Sequence, residues 1–122
     1  MDAAAIEDAF AAFGPVRVRA MFGGSGIYAD GLMIAICVDG QIYLKADPAL
    51  AQSLREAGGH AFTYEKQGKP VTMGFWSLPE SALDDGDELA SLAARALSVA
   101  RAAAVARTVP RRRGRPGNPR GE

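Results

Sequence analysis

Met21-Phe22-Gly23-Gly24-Ser25-Gly26-Ile27-Tyr28-Ala29-Asp30-Gly31 places three glycines within four residues, just ahead of a short apolar run. Inside it, Gly24-Ser25-Gly26-Ile27-Tyr28-Ala29 has the G-x-G-x-x-A spacing of a dinucleotide-binding loop. Such a loop holds a pyrophosphate only when its glycines lead into a helix, whose first N–H groups meet the phosphates. Here Gly26 leads into Ile27-Tyr28-Ala29, which has strand character, and then into Asp30-Gly31. That pair is a hairpin signature, because a type I′ turn needs positive φ at both central residues. No Gly-Lys-Ser/Thr follows, so a Walker A loop is excluded as well. The segment is therefore expected to be a glycine-dependent turn or bulge between two strands, with Gly23 or Gly24 at positive φ.

Working outward, residues 16–21 alternate: Val16, Val18 and Ala20 on one face, Arg17 and Arg19 on the other. This is the period-two pattern of a strand. Residues 32–38 are an apolar run of strand length, and Asp39-Gly40 repeats the hairpin signature. Residues 42–46 alternate again, Ile42 and Leu44 against Tyr43 and Lys45. An antiparallel meander follows. Two more strands are expected over 62–66 and 71–77, joined by a turn around Gln67-Gly68-Lys69-Pro70.

Three helices frame these strands. Ile6, Phe10 and Phe13 recur at helical spacing over 2–13, and Gly14-Pro15 ends the run. Asp47-Pro48 supplies an N-cap and a first-turn proline for a helix with Leu50, Leu54 and Ala57 inward, closed by Gly58-Gly59. A long stripe of Leu89, Leu92, Ala93, Ala96, Leu97, Ala100 and Ala104 marks a helix over about 87–107. The expected fold is an α+β sandwich of two layers, one mainly antiparallel sheet with its helices on one face.

The chain has 122 residues, which suits one domain with a core of its own. No apolar run approaches the ~18 residues of a membrane helix, and the N-terminus lacks a basic region ahead of an apolar one. The lone Cys37 cannot form an internal disulfide. These features fit a cytoplasmic protein. The formal charge of zero conceals an asymmetry. Residues 1–106 hold 8 Lys/Arg against 13 Asp/Glu, a net −5, while residues 107–122 hold 6 Arg against Glu122 alone, a net +5. Residues 108–122, rich in Arg, Gly and Pro, are expected to form a disordered basic tail behind a folded domain of residues 1–107.

The string Arg19-Ala20-Met21-Phe22-Gly23-Gly24-Ser25-Gly26-Ile27-Tyr28, with Asp30-Gly31-Leu32-Met33 after it, resembles the N-terminal domain of the TfoX/Sxy family. Ile42-Tyr43-Leu44-Lys45-Ala46-Asp47, Phe62-Thr63-Tyr64, Met73-Gly74-Phe75-Trp76-Ser77-Leu78-Pro79 and the acidic Asp84-Asp85 continue the likeness, in order, to about residue 105. The resemblance implies the order α-β(3)-α-β(2)-α, similar to type III secretion chaperones. It also implies kinship with regulators of natural competence that act with the cyclic-AMP receptor protein at certain promoters. Where the long regulators carry a second, helix-hairpin-helix domain, this sequence has its arginine-rich tail.

Candidate chemistry is sparse. A nucleophile needs a base within hydrogen-bond reach, yet His60 is the single histidine and Cys37 lies within an apolar strand, where a small buried hydrophobe is expected. Asp84, Asp85, Asp87 and Glu88 match the positive end of a helix start and do not require a cation. No catalytic, cofactor or metal residues are therefore expected. Arg17, Arg19, Tyr43, Lys45 and Trp76 are expected to share the sheet face away from the helices and to bind a partner there. Arg111-Arg112-Arg113-Gly114-Arg115-Pro116 contains R-G-R-P, which resembles the core of an AT-hook. In such a hook Gly lets the chain approach the minor-groove floor and arginines seek its negative potential. The expected function is a non-enzymatic, transcription- or competence-regulator-like binding module. Arg111, Arg112, Arg113 and Arg115 would supply weak DNA contacts, and the partner would be a transcription factor or an RNA polymerase-associated protein. The alternative is a protein-binding or chaperone-like homodimer without a nucleic-acid role.

Overall fold

The computed structural model describes residues 1–21 and 23–108, with the backbone alone at 70–73 and 108. In chain order the elements are α1 (Ala3–Ala9), β1 (Arg17–Met21), β2 (Gly24–Ala29), β3 (Leu32–Val38), β4 (Gln41–Lys45), α2 (Pro48–Glu56), β5 (Ala61–Lys66), β6 (Lys69–Ser77), α3 (Glu80–Leu83) and α4 (Gly86–Thr108). The strands make one six-stranded sheet in the order β1-β2-β3-β4-β6-β5, every neighbouring pair antiparallel. The chain leaves β4 through α2, enters the far edge as β5, and turns back so that β6 fills the gap.

Turn chemistry fixes the register. Asp30 (φ 52°) with Gly31 (φ 75°), and Asp39 (φ 53°) with Gly40 (φ 77°), both adopt the doubly positive φ of type I′ turns. Gln67 (φ 53°) and Gly68 (φ 79°) form a third such turn, tighter than the four-residue connection expected there. Asp2 caps α1 by accepting from Ala5 N–H at 2.9 Å, and Asp47 caps α2 by accepting from Leu50 N–H at 2.9 Å. Helix α1 is shorter than expected. Beyond Ala9 the ladder tightens, with Phe13 N–H bonded to the Phe10 carbonyl, so the chain closes in turns. Ala57, expected inward on α2, is its exposed C-cap.

All helices cover one face. The core joins Ile6 of α1 and its C-cap Phe10, Leu50 and Leu54 of α2, and Leu89, Ala93, Ala96 and Ala100 of α4 to Ile27, Ile34, Ala35, Cys37, Ile42 and Leu44 of the sheet. Each fully buried Ile, Leu or Phe contributes about 1.5–3 kcal/mol relative to exposure. Alanines along α4 let its backbone lie close to the strands. That helix is long and apolar enough to cross a membrane by length and composition, beyond what runs of apolar residues suggested. Its stripe of Leu89, Ala93, Ala96 and Ala100 is nevertheless buried against the sheet.

The glycine segment departs from expectation in one respect. Four strands precede α2, where the family resemblance implied three, and the short α3 is additional. Gly23 (φ 73°) does make the turn, but Gly24 and Gly26 are strand residues, paired with β1 on one side and β3 on the other. A Cβ at Gly24 would overlap the carbonyl oxygen of Cys37. Only glycine lets β2 lie this close to β3, and a strand carried by backbone approach has no β-branched signature. One residue of β3, Ile34, is inserted as a bulge where the β2–β3 register shifts at Ile27/Tyr28, and Ile34 and Ala35 both enter the core.

These geometries give unequal glycine substitutions. Gly24→Ala must displace backbone and is expected to cost about 3 kcal/mol. Gly31→Ala meets open space and incurs only the left-handed backbone penalty of about 1–2 kcal/mol. Urea unfolding of both variants checks the order; equal costs would contradict the close approach.

Candidate partner-binding face

Residues opposite one another on neighbouring strands share a face, so the register assigns sides. The row Val18–Ile27–Ala35–Leu44–Trp76 faces the helices. The open side carries Arg17, Arg19 and Met21 of β1, Tyr28 of β2, Met33, Ile36 and Val38 of β3, Tyr43 and Lys45 of β4, and Phe75 of β6. Arg17, Arg19, Tyr43 and Lys45 thus occupy the expected face. Trp76 does not: it pairs with Leu44 and Ala61 and packs on the main core. The bulk of the indole suited either side, and only the pairing with Leu44 decides it.

The open face is not a plain solvated surface. Met21, Met33, Ile36, Val38, Phe62 and Tyr64 line a groove of about 390 Å³. Strand β1 lies at one edge of the sheet and β5 at the other, so the sheet curls until residues from both edges meet over β3. Met21 is 47% exposed and Tyr64 37% exposed, whereas Ile36 and Phe75 are buried. The groove therefore has a closed floor and an open apolar rim. At its β1 side, Met21 Sδ, Met33 Cε and the Tyr28 ring would each lie 3.0–3.2 Å from a Cβ at Gly26. The absence of that Cβ leaves two flexible thioethers room to lie over the strand. Arg19 holds its guanidinium 5.8 Å from the Tyr28 ring centroid, a cation–π contact.

At the β5 side a row of rings crosses the face. His60 meets Tyr43 edge-on at 5.8 Å, Tyr43 meets Phe62 at 5.0 Å, and Phe62 stacks on Tyr64 at 6.2 Å. Small Ser77 stands opposite Tyr43 and leaves space for these rings to close over β6. Its hydroxyl is 3% exposed as part of the residue, accepts the His60 N–H at 2.9 Å, and lies 3.3 Å from His60 Nδ1. The Ser77 N–H in turn donates to the His60 carbonyl at 2.9 Å. This reciprocal clasp fixes the start of β5 and hence the ring row.

The other candidates separate. Cys37 is buried in the helix-side core, whereas His60 stands on the open side, so they form no dyad. Asp85 Oδ1 accepts from the N–H groups of Asp87 and Glu88, and Glu88 Oε2 accepts from Ser81 Oγ at 3.0 Å. Asp85 thus caps the first turn of α4, and Glu88 links it to α3. Among the described residues no cluster of His, Cys, Asp and Glu could hold a metal ion. Arg111, Arg112, Arg113 and Arg115 lie outside the described residues. Sequence reading missed Met21, Met33, Ile36, Val38, Phe62 and Tyr64. The available signal was the run Leu32–Val38, apolar at both parities, which marks a strand with apolar side chains on both faces.

The chain belongs to the TfoX N-terminal domain family, whose model matches residues 8–100. It is also similar to Protein Sxy of Escherichia coli (strain K12), 29% identical over 75 residues, which cover 62% of this chain and 36% of that protein. The chain thus spans about a third of the length of the curated relative it matches.

Two outcomes check this geometry. Cys37 reacts with a thiol reagent in the native protein only at the rate of opening, and at once in denaturant. Ser77→Ala leaves the His60 N–H without its side-chain acceptor and lowers stability by about 1–2 kcal/mol, read by thermal or urea unfolding.

Proposed function

We propose that this member of the TfoX N-terminal domain family is a non-enzymatic regulatory binding module that engages a protein through the open face of its sheet. The observation that carries this reading is the one-sided cover. Four helices bury one face, while the other keeps an apolar groove with exposed Met21 and Tyr64. Exposed apolar surface framed by polar residues is the mark of an interaction site. Methionine suits it, since its unbranched thioether adapts to a partner's contour. The kinship with Protein Sxy favours a transcription factor or an RNA polymerase-associated protein as partner. Separation of Cys37 from His60 supports a binding role over catalysis. Arg111, Arg112, Arg113 and Arg115 add weak, electrostatic DNA contacts that hold the module near its site of action.

Two experiments test this. A photo-crosslinking residue at position 21 gives discrete protein adducts in cells, and the same residue at exposed position 94 on α4 gives none; nucleic-acid adducts alone, or equal labelling from both, would refute the assignment. Fluorescence anisotropy with A·T-rich and G·C-rich duplexes tests the tail. Replacing its four named arginines by Ala is expected to reduce the slope of log K against log salt by about 3–4, near 0.9 per lost phosphate contact. An unchanged slope would remove DNA from the function.

A further inference from the structure

Charge on the folded part is sorted by side. In strands, residues two apart share a face, so Lys66 joins Phe62 and Tyr64 on the open side, and Lys69, paired with Lys66, joins them. With Arg17, Arg19 and Lys45, five of the eight Lys/Arg in residues 1–106 stand at open-face strand positions. Among the described residues none of the 13 Asp/Glu of that segment does. They lie in the helices and their flanks, in the turns at Asp30 and Asp39, and at Glu65, whose parity places it on the helix side. A segment with net charge −5 thus places cations, and among the described residues no carboxylate, at the strand positions of the face that holds the apolar groove.

We infer that the groove takes an acidic amphipathic peptide segment of a partner protein, bulky apolar side chains seated between Met21, Met33 and Phe62 and carboxylates set against Arg19, Lys45 and Lys66. This rests on the protein-binding reading above and names the partner's chemistry. The apolar floor accommodates aliphatic or aromatic anchors, which carry most of the energy of such contacts. The cations of that face select sign and speed encounter. Nucleic acid shares the charge but not the fit. Bases need free ring faces to stack on, whereas Tyr43 is in edge contact with both His60 and Phe62, and Phe62 is already stacked on Tyr64.

The test is a titration of the full chain, methyl-labelled at methionine, with three short fluorescein-labelled peptides. One alternates Leu, Trp and Phe with Glu and Asp; the second replaces its acids by Lys; the third replaces its apolar residues by Ser. The first is expected to bind at micromolar Kd, to weaken with salt, and to shift the Met21 and Met33 methyl resonances. The other two should bind at least about tenfold more weakly. Met21→Glu, at an exposed position, should weaken the first peptide by a similar factor with Tm unchanged. Equal binding of the Lys peptide would overturn the acidic preference while the protein-binding reading stands. Failure of every peptide, with position-21 protein adducts still formed, would overturn this inference alone; failure of both would overturn both. Single-stranded DNA shifting the same methyls when the acidic peptide does not would also overturn it.

Discussion

The close approach of β2 to β3 at Gly24 is the constraint on which the remaining geometry depends. With no Cβ at that position, the strand can press against the Cys37 carbonyl, and the bulge at Ile34 then restores the inward parity of the core. The same approach leaves β1 as an outer strand within reach of β3. Met21 and Met33 can then meet over Gly26. A glycine-rich segment that resembles a phosphate loop in spelling is thus a device for packing backbones, and the chemistry of the open face is built on it.

One-sided cover follows from the order of elements. Every helix connects or flanks strands from the same side, so the helices, α4 with its alanine stripe among them, cover that side together. The opposite side must manage six strands without a covering layer. It does so by curling. Ile36 and Phe75 are buried by the curvature and by neighbouring side chains, and the ring row from His60 to Tyr64 bridges β4 to β5 across the small Ser77. The Arg101–Asp30 ion pair, exposed on both sides, links the long helix to the β2–β3 turn; in water such a pair adds little stability.

Much of the fold was legible from local chemistry. Asp-Gly pairs gave the hairpins, Asp47-Pro48 gave the start of α2, and apolar spacing gave Ile6, Phe10, Leu50, Leu54 and the α4 stripe. What local chemistry could not give was the status of Gly24–Gly26 as strand. Propensity scores side chains, and here the strand exists because side chains are absent. The site was legible in its charges, since Arg17, Arg19, Tyr43 and Lys45 alternate openly with apolar neighbours. Its groove was not, because it joins β1 to β5 across the whole width of the sheet, and no pattern within one strand encodes curvature. Trp76 shows the same limit: strand parity could be counted along β6, but which parity faced the helices depended on its pairing with Leu44 of a distant strand.

The placing of five cations at open-face strand positions, with the carboxylates kept off them, gives the folded part of a chain of zero formal charge a dipole directed across its sheet. Such a body feels torque before it feels net attraction. A charged surface or partner turns it while still separated by roughly a Debye length, ~8 Å at physiological ionic strength, so that collisions are biased towards one side. Neutral overall, the chain has little monopole repulsion to keep copies apart. Added salt shortens that Debye length and so dulls the orientation.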